Sequence, residues 1–171
     1  MKKYLFLDFD GVLNTNRHRF YLIKEGKNTK DQFAPIFDPD TIYNLKTIIE
    51  HTGAEIVISS SWKEFGQDFI LELWVKRNMP GKVYSIIPSL ILTNYLDNNT
   101  GESISIPETY SKGVEINAWL DTYATGNYRY CIIDDENYFL PYQLEHLVQV
   151  NEDKGLTSDI ASIIIDKLNR K

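Results

Sequence analysis

The sequence has a single cysteine, Cys131, so no intrachain disulfide can form and packing alone must hold the fold. Such a chain suits a reducing compartment. No run approaches the roughly 18 apolar residues that a membrane-crossing helix needs. Met1-Lys2-Lys3 and the apolar Tyr4-Leu5-Phe6-Leu7 are followed by Asp8 and Asp10, which cut the run too early for a secretory signal. A cytoplasmic protein with no membrane association is therefore expected. Nine glycines and six prolines leave no Gly- or Pro-rich linker, and there is no internal repeat or low-complexity tract. Positive charge is also in short supply. Lys and Arg number 18 against 24 Asp and Glu, for a net charge of −6. That balance disfavours loose, charge-driven binding to a nucleic-acid backbone, although a local basic groove remains compatible with it. The rest is ordinary: 43% apolar and 25% charged residues, as in globular domains. At 171 residues the expectation is one domain spanning 1–171, able to bury about two-thirds of its unfolded surface.

Alternating elements organise the chain. Tyr4 to Asp8 reads as a buried strand that runs into Asp8-Phe9-Asp10-Gly11. Residues 14–37 are polar and mixed, and read as a loop or small flap. Asp38-Pro39 starts a helix with Ile42, Leu45, Ile48 and Ile49 on its apolar face, ended by Gly53. Ala54 to Ile58 is a second strand, closed by Ser59-Ser60-Ser61. Ser61-Trp62-Lys63-Glu64 fits a capping box, predicting a helix to about Asn78. Within 82–108, short strands are expected at 83–87 and 90–92, then an irregular run. Ser111 or Thr109 caps a helix to Tyr123, Tyr130 to Ile133 is a strand ending at Asp134-Asp135, Leu147 to Val150 is another, and Thr157 to Leu168 is the last helix. This order predicts an α/β, Rossmann-like three-layer sandwich with a mostly parallel central sheet.

Ligands of such sheets bind beyond the carboxyl ends of the strands. Here those ends carry Asp8 and Asp10, Ser59 and Ser60, and Asp134 and Asp135, with Lys112 opening a helix at the same edge. Asp8 and Asp10, two apart on extended backbone, point to one side, and Gly11 lets the chain turn behind them. Four acids in one pocket repel one another unless a cation lies between them. All-oxygen donors favour a hard cation, and Mg²⁺ is expected on Asp8, Asp10, Asp134 and Asp135. Ser59, Ser60 and Lys112 supply the hydroxyls and positive charge that a phosphate needs. Arg17, with His18, Arg19 and Lys24 on the 14–37 insertion, is a candidate to steer an anionic substrate. Trp62, Trp74 and Trp119 are expected in the core, Trp62 being the one beside the Ser59 loop.

These residues resemble the haloacid dehalogenase (HAD) superfamily. Asp8-Phe9-Asp10-Gly11-Val12-Leu13 resembles its first motif, Val57-Ile58-Ser59 its second, Lys112 its third and Ile132-Ile133-Asp134-Asp135 its fourth, in matching order and spacing. A narrower likeness, to the small HAD domains of bacterial and phage RNA-repair proteins, rests on several further segments. These are Asn14, Ser59-Ser60-Ser61-Trp62-Lys63, Glu115-Ile116-Asn117-Ala118-Trp119-Leu120 and Gly155-Leu156-Thr157. Arg is common in that group where Lys63 and Lys112 stand here, and Lys keeps the charge without the bidentate fork.

The resemblance implies a HAD-like fold with minimal or no cap, since only 14–37 and 82–108 have room for insertions. It implies an Mg²⁺-dependent phosphomonoester hydrolase. Asp8 would be the nucleophile that forms an aspartyl-phosphate, Asp10 the general acid and base, Ser59 and Lys112 the phosphoryl holders, and Asp134 with Asp135 the metal ligands beside Asp8 and the Asp10 carbonyl. The expected partner is a phosphorylated substrate, either a small molecule or a nucleic-acid end, with no stable protein partner. Two alternatives stand beside this one. The first is a non-catalytic metal-binding regulatory module on the same fold. The second is a phospho-acceptor receiver domain, disfavoured because there the acidic pair follows the first strand and the lysine comes late.

Overall fold

A computed structural model describes residues 1–90, 95–96, 103–104 and 111–170. Five parallel strands form the central sheet: β1 (Lys2–Leu7), β4 (Glu55–Ile58), β5 (Val83–Ile86), β8 (Tyr128–Asp134) and β9 (Leu147–Gln149), in the order β5-β4-β1-β8-β9. Strand β1, the first in the chain, lies at the centre. Its residues are covered on both faces, which explains why they read as a continuous apolar run rather than an alternating one.

The period of two still sorts the side chains. Leu5 and Leu7 of β1, Ile56 and Ile58 of β4, and Cys131 and Ile133 of β8 pack into one core. Helices α2 (Pro39–Thr52), α3 (Gln67–Lys76) and α5 (Ser158–Asn169) cover that face with Leu45, Ile48, Leu73, Trp74 and Ile164. Tyr4, Phe6, Val57 and Ile132 point the other way, against Ile116, Trp119 and Leu120 of α4 (Ser111–Tyr123). Trp119 meets Tyr4 and Phe6 edge-on, at ring-centre distances of 5.0 and 5.3 Å. The result is the predicted three-layer α/β fold. No helix among the described residues is long and apolar enough to cross a membrane.

Register brings the chemistry to one edge. Leu7 pairs with Ile58 on one side and Ile133 on the other, so Asp8, Ser59 and Asp134 stand level across three adjacent strands. The amides of Asp8 and Ser59 continue the ladder, bonding to the carbonyls of Ile133 (3.1 Å) and Leu7 (3.0 Å).

Two local expectations change, and a third lies largely outside the described residues. Residues 14–37 hold a real helix, α1 (Asn16–Lys24), and a small hairpin of β2 (Lys30–Asp31) and β3 (Ala34–Pro35). Thr15 caps α1, and only Leu22 of the helix is buried. The hairpin is fastened by Arg77, which binds Asp31 with both Nε (3.1 Å) and a terminal nitrogen (2.7 Å). The helix expected from Ser61 to Asn78 is two pieces. A 3-10 turn, Ser61–Phe65, is capped by Ser60 rather than Ser61, and it breaks at Gly66 before α3 begins. The expected strand at 90–92 lies largely outside the described residues, as do Thr109 and most of 94–107. Of that stretch, β6 (Tyr95–Leu96) and β7 (Ser103–Ile104) form an antiparallel pair.

A buried ion pair joins the 3-10 turn to α4. Lys63 Nζ donates to Glu115 Oε2 and to the Pro88 carbonyl (3.1 Å), while Glu115 Oε1 accepts from the Leu90 amide (3.0 Å). Both charged side chains are only 9% exposed. Removing one partner strands a buried charge, so Glu115→Leu should lower the unfolding free energy by about 3 kcal/mol or more. Lys63→Met combined with Glu115→Leu should cost clearly less than the sum of the single changes. A urea-unfolding double-mutant cycle measures this coupling, and additive costs would contradict it.

Candidate active site

The loop after β1 builds the site. The amides of Leu13 and Asn14 both bond to the Phe9 carbonyl (2.8 and 3.1 Å), closing a tight turn. Gly11 sits in it at φ +66°, and a Cβ there would lie 2.4 Å from Asp135 Oδ2. Only glycine lets this turn approach the Asp134-Asp135 strand end so closely. Phe9 anchors the loop from below, packed against Phe37 and Trp62.

Asp8 is buried, and its Oδ1 accepts from the Phe9 amide at 2.7 Å. Asp134 is fully buried, and its Oδ1 accepts from the Glu136 amide at 3.0 Å. Lys112, in the first turn of α4, reaches between them and donates to Asp8 Oδ2 (3.0 Å) and Asp134 Oδ2 (2.6 Å). Carboxylate oxygens of Asp8, Asp134 and Asp135 all lie within 4.8 Å of one another.

One ammonium does not offset three carboxylates. Burial and the neighbouring Asp8 push Asp134 up from 3.8 to about 7, against the opposing pull of Lys112. Asp135 is raised for the same two reasons. Lys112, despite burial, is held well above its usual value by Asp8 and Asp134. An acidic cluster that disfavours its own ionisation and presents hard oxygen donors fits a divalent cation.

Asp10 lies in a different setting. It is exposed, and its carboxylate is gripped by two neutral donors: Asn14 Nδ2 to Oδ1 (2.7 Å) and Trp62 Nε1 to Oδ2 (2.8 Å). Its carboxylate is not part of the three-acid cluster; the atom of Asp10 that the resemblance sets beside the metal is its carbonyl. The Trp62 bond is a link that residue types alone did not disclose. Ser59 Oγ is buried, with no hydrogen-bond partner among the described residues. A hydroxyl in that state is unusual in a folded protein, and it has a donor to offer a water or a ligand oxygen. The Ser60 hydroxyl is used instead as the cap of the 3-10 turn, accepting from the Trp62 amide, so it is structural.

Arg17 is not brought to the cluster. Its guanidinium binds Asp38 (2.9 Å) and Asp40 (3.0 Å) and lines a separate recess with Tyr43 and Lys154. Arg19, one helical turn from Asn16, lines the cavity that holds Asp10 and Asp135. His51 and His146 sit away from the cluster, His51 on the Thr47 carbonyl and His146 stacked on Tyr130.

A central strand ending in Asp8, with a lysine bridging it to a second strand end, is the arrangement the HAD resemblance implies. Residues 4–161 match the family described as the HAD domain in Swiss Army Knife RNA repair proteins, and the chain belongs to that family. Membership suggests a phosphatase-type hydrolase role. Neither a curated protein nor a solved structure matches the chain.

Because Asp134 holds its proton more tightly folded than unfolded, folding takes up a proton between pH 3.8 and about 7. This site therefore withdraws stability as pH rises through that window. In the presence of a chelator, Asp134→Asn should raise Tm relative to wild type at pH 8, and by much less at pH 5. Thermal melts at the two pH values test this, and an equal effect at both would contradict it.

Proposed function

We propose that the protein is an Mg²⁺-dependent phosphomonoester hydrolase that works through an aspartyl-phosphate on Asp8, with a nucleotide or nucleic-acid end as substrate. What carries this reading is the contrast between its first two aspartates. Asp8 is buried and ion-paired to Lys112, whereas Asp10 is exposed and held by the neutral donors Trp62 and Asn14. Two carboxylates in opposite environments suit two roles.

Asp8 Oδ2 attacks phosphorus, and the bond to the substrate oxygen breaks. Asp10 gives its proton to that departing oxygen and the alcohol leaves. Asp10 then takes a proton from water, whose oxygen attacks the same phosphorus. The Asp8–phosphorus bond breaks, inorganic phosphate is released, and both carboxyl groups return to their starting states. Lys112 stays ion-paired throughout and offsets negative charge on the transferring group. Ser59 Oγ, otherwise unpartnered, donates to a phosphoryl oxygen. Asp8, Asp134 and Asp135 would hold the Mg²⁺, which supplies charge neutralisation and a fixed orientation for the phosphate.

Phosphate release from an aryl phosphate tests the reaction. Release should require Mg²⁺ and stop with chelator. Asp8→Asn should abolish it, and Asp10→Asn should lower kcat by about 10²–10⁴-fold. Unchanged turnover in either variant would overturn the assignment, while Mg²⁺ binding without turnover on a broad phosphate panel would favour a non-catalytic module. Trp62→Phe keeps the ring and removes the bond to Asp10. It should lower kcat by about tenfold or more and displace the Asp10-dependent limb of the pH–rate profile, with KM little changed. A loss confined to KM would mean that Trp62 contacts substrate rather than positioning Asp10.

A further inference from the structure

Helix α1 presents an unusual face to the active-site cavity. Asn16, Arg19, Phe20 and Ile23 stand at the i, i+3, i+4 and i+7 positions, so they form one strip along the helix. Asn16 and Arg19 line the cavity together with Asp10, Asp135, Lys30 and Glu152. Phe20 and Ile23 continue the strip outward and are 66% and 54% exposed. The helix is anchored along a flank of this strip, through buried Leu22.

The cations of this region divide into two kinds. Arg17 and Arg77 are committed to Asp38, Asp40 and Asp31. Arg19 and Lys30, the two that line the cavity, carry no ion pair among the described residues. An exposed aromatic ring on the same helix face as an unpaired arginine is a pairing that single-stranded nucleic acid uses, base on ring and phosphodiester on cation. A folding role does not account for Phe20, since its ring is mostly in solvent.

Size sets the arrangement. The cavity is about 350 Å³, at the small end of ligand pockets. It has room for one nucleotide, and anything attached beyond that must run out over the strip.

We propose that this strip, with Lys30, is the leaving-group subsite of the phosphatase, built for the phosphorylated end of a single-stranded oligonucleotide. The terminal nucleoside occupies the cavity, Arg19 and Lys30 take the next phosphodiester, and the following base stacks on Phe20 with Ile23 beside it. This rests on the phosphatase reading for its orientation, with the terminal phosphate toward Asp8. Asp10, Asp135 and Glu152 also line the cavity, so attraction for a polyanion there falls to Arg19 and Lys30.

Two readouts test the subsite. The first is fluorescence anisotropy of a short, dye-labelled, single-stranded oligonucleotide carrying a terminal phosphate, at its 3′ or its 5′ end, in an Asp8→Asn background with Mg²⁺. Phe20→Ala and Arg19→Ala should each weaken binding by about tenfold, Phe20→Trp should retain it, and Tyr43→Ala, an exposed ring on α2, should not matter. The second is the ratio of kcat/KM on the oligonucleotide to kcat/KM on an aryl phosphate, which should fall about tenfold in the same two α1 variants. Failure of the oligonucleotide to bind, binding indifferent to the α1 changes, or a phosphopeptide that binds more tightly and is the one lost, would each overturn the proposal. Aryl-phosphate turnover with an unmoved ratio would sink the subsite and leave the phosphatase standing. Oligonucleotide binding lost in the α1 variants, with no turnover of any substrate by wild type, would do the reverse.

Discussion

The arrangement depends on one ammonium group. Lys112 joins the carboxylates of Asp8 and Asp134 at the ends of two neighbouring strands. Without it, the parallel register that levels those strand ends would set two buried like charges beside each other. With it, the charges are partly offset, and the remaining excess of acid makes the pocket receptive to a cation. The same bond fixes the start of α4 over the sheet edge, so one contact joins the helical layer to the chemistry.

The support around Lys112 is correspondingly dense. Gln143, fully buried, donates to the Gly113 carbonyl at 2.8 Å, next along the chain from Lys112. A side chain at Gly113 would strike Gln143 Oε1 at 2.6 Å, so helix and loop fit only with glycine there. One turn further on, Glu115 is tied to Lys63 across the gap to the 3-10 turn. The loop after β1, the turn after β4 and the helix that carries the lysine are therefore braced against each other by polar contacts. Such contacts favour one geometry over its near alternatives.

Much of this was legible in the residues. Strand ends announce themselves when an apolar run stops at Asp8 or at Asp134, because burial on both faces leaves no polar residue until the edge. The cap at Asp38 was equally plain. Helix α1 was not, because a nine-residue helix with one buried side chain has almost no apolar periodicity to read. Gly66 hid the break before α3, since a capping-box pattern followed by apolar spacing looks continuous. Arg17 lies away from the cluster for a related reason. Arg17 and Arg19, two apart on the helix, point about 160° apart, and which of them faces the site depends on Asp38 and Asp40, far from it in sequence. Nor could spacing reveal that Trp62 reaches Asp10, a contact made across 52 positions.

The central position of β1 also has a consequence in time. It is the first strand in the chain, yet it pairs with β4 at Glu55–Ile58 and with β8 at Tyr128–Asp134. Both edges of the strand that leads into Asp8 must therefore wait for distant partners, β8 the longer. During synthesis from the N-terminus, the apolar run Tyr4-Leu5-Phe6-Leu7 can meet β4 after about fifty residues, but its other edge stays open until β8, more than a hundred residues on, has followed. An incomplete chain of that kind exposes an adhesive β edge and has none of the Lys112 and Asp134 contacts that define the site. Assembly of the reactive centre and closure of the sheet are one late event, so partly made chains are vulnerable to aggregation before they can be active.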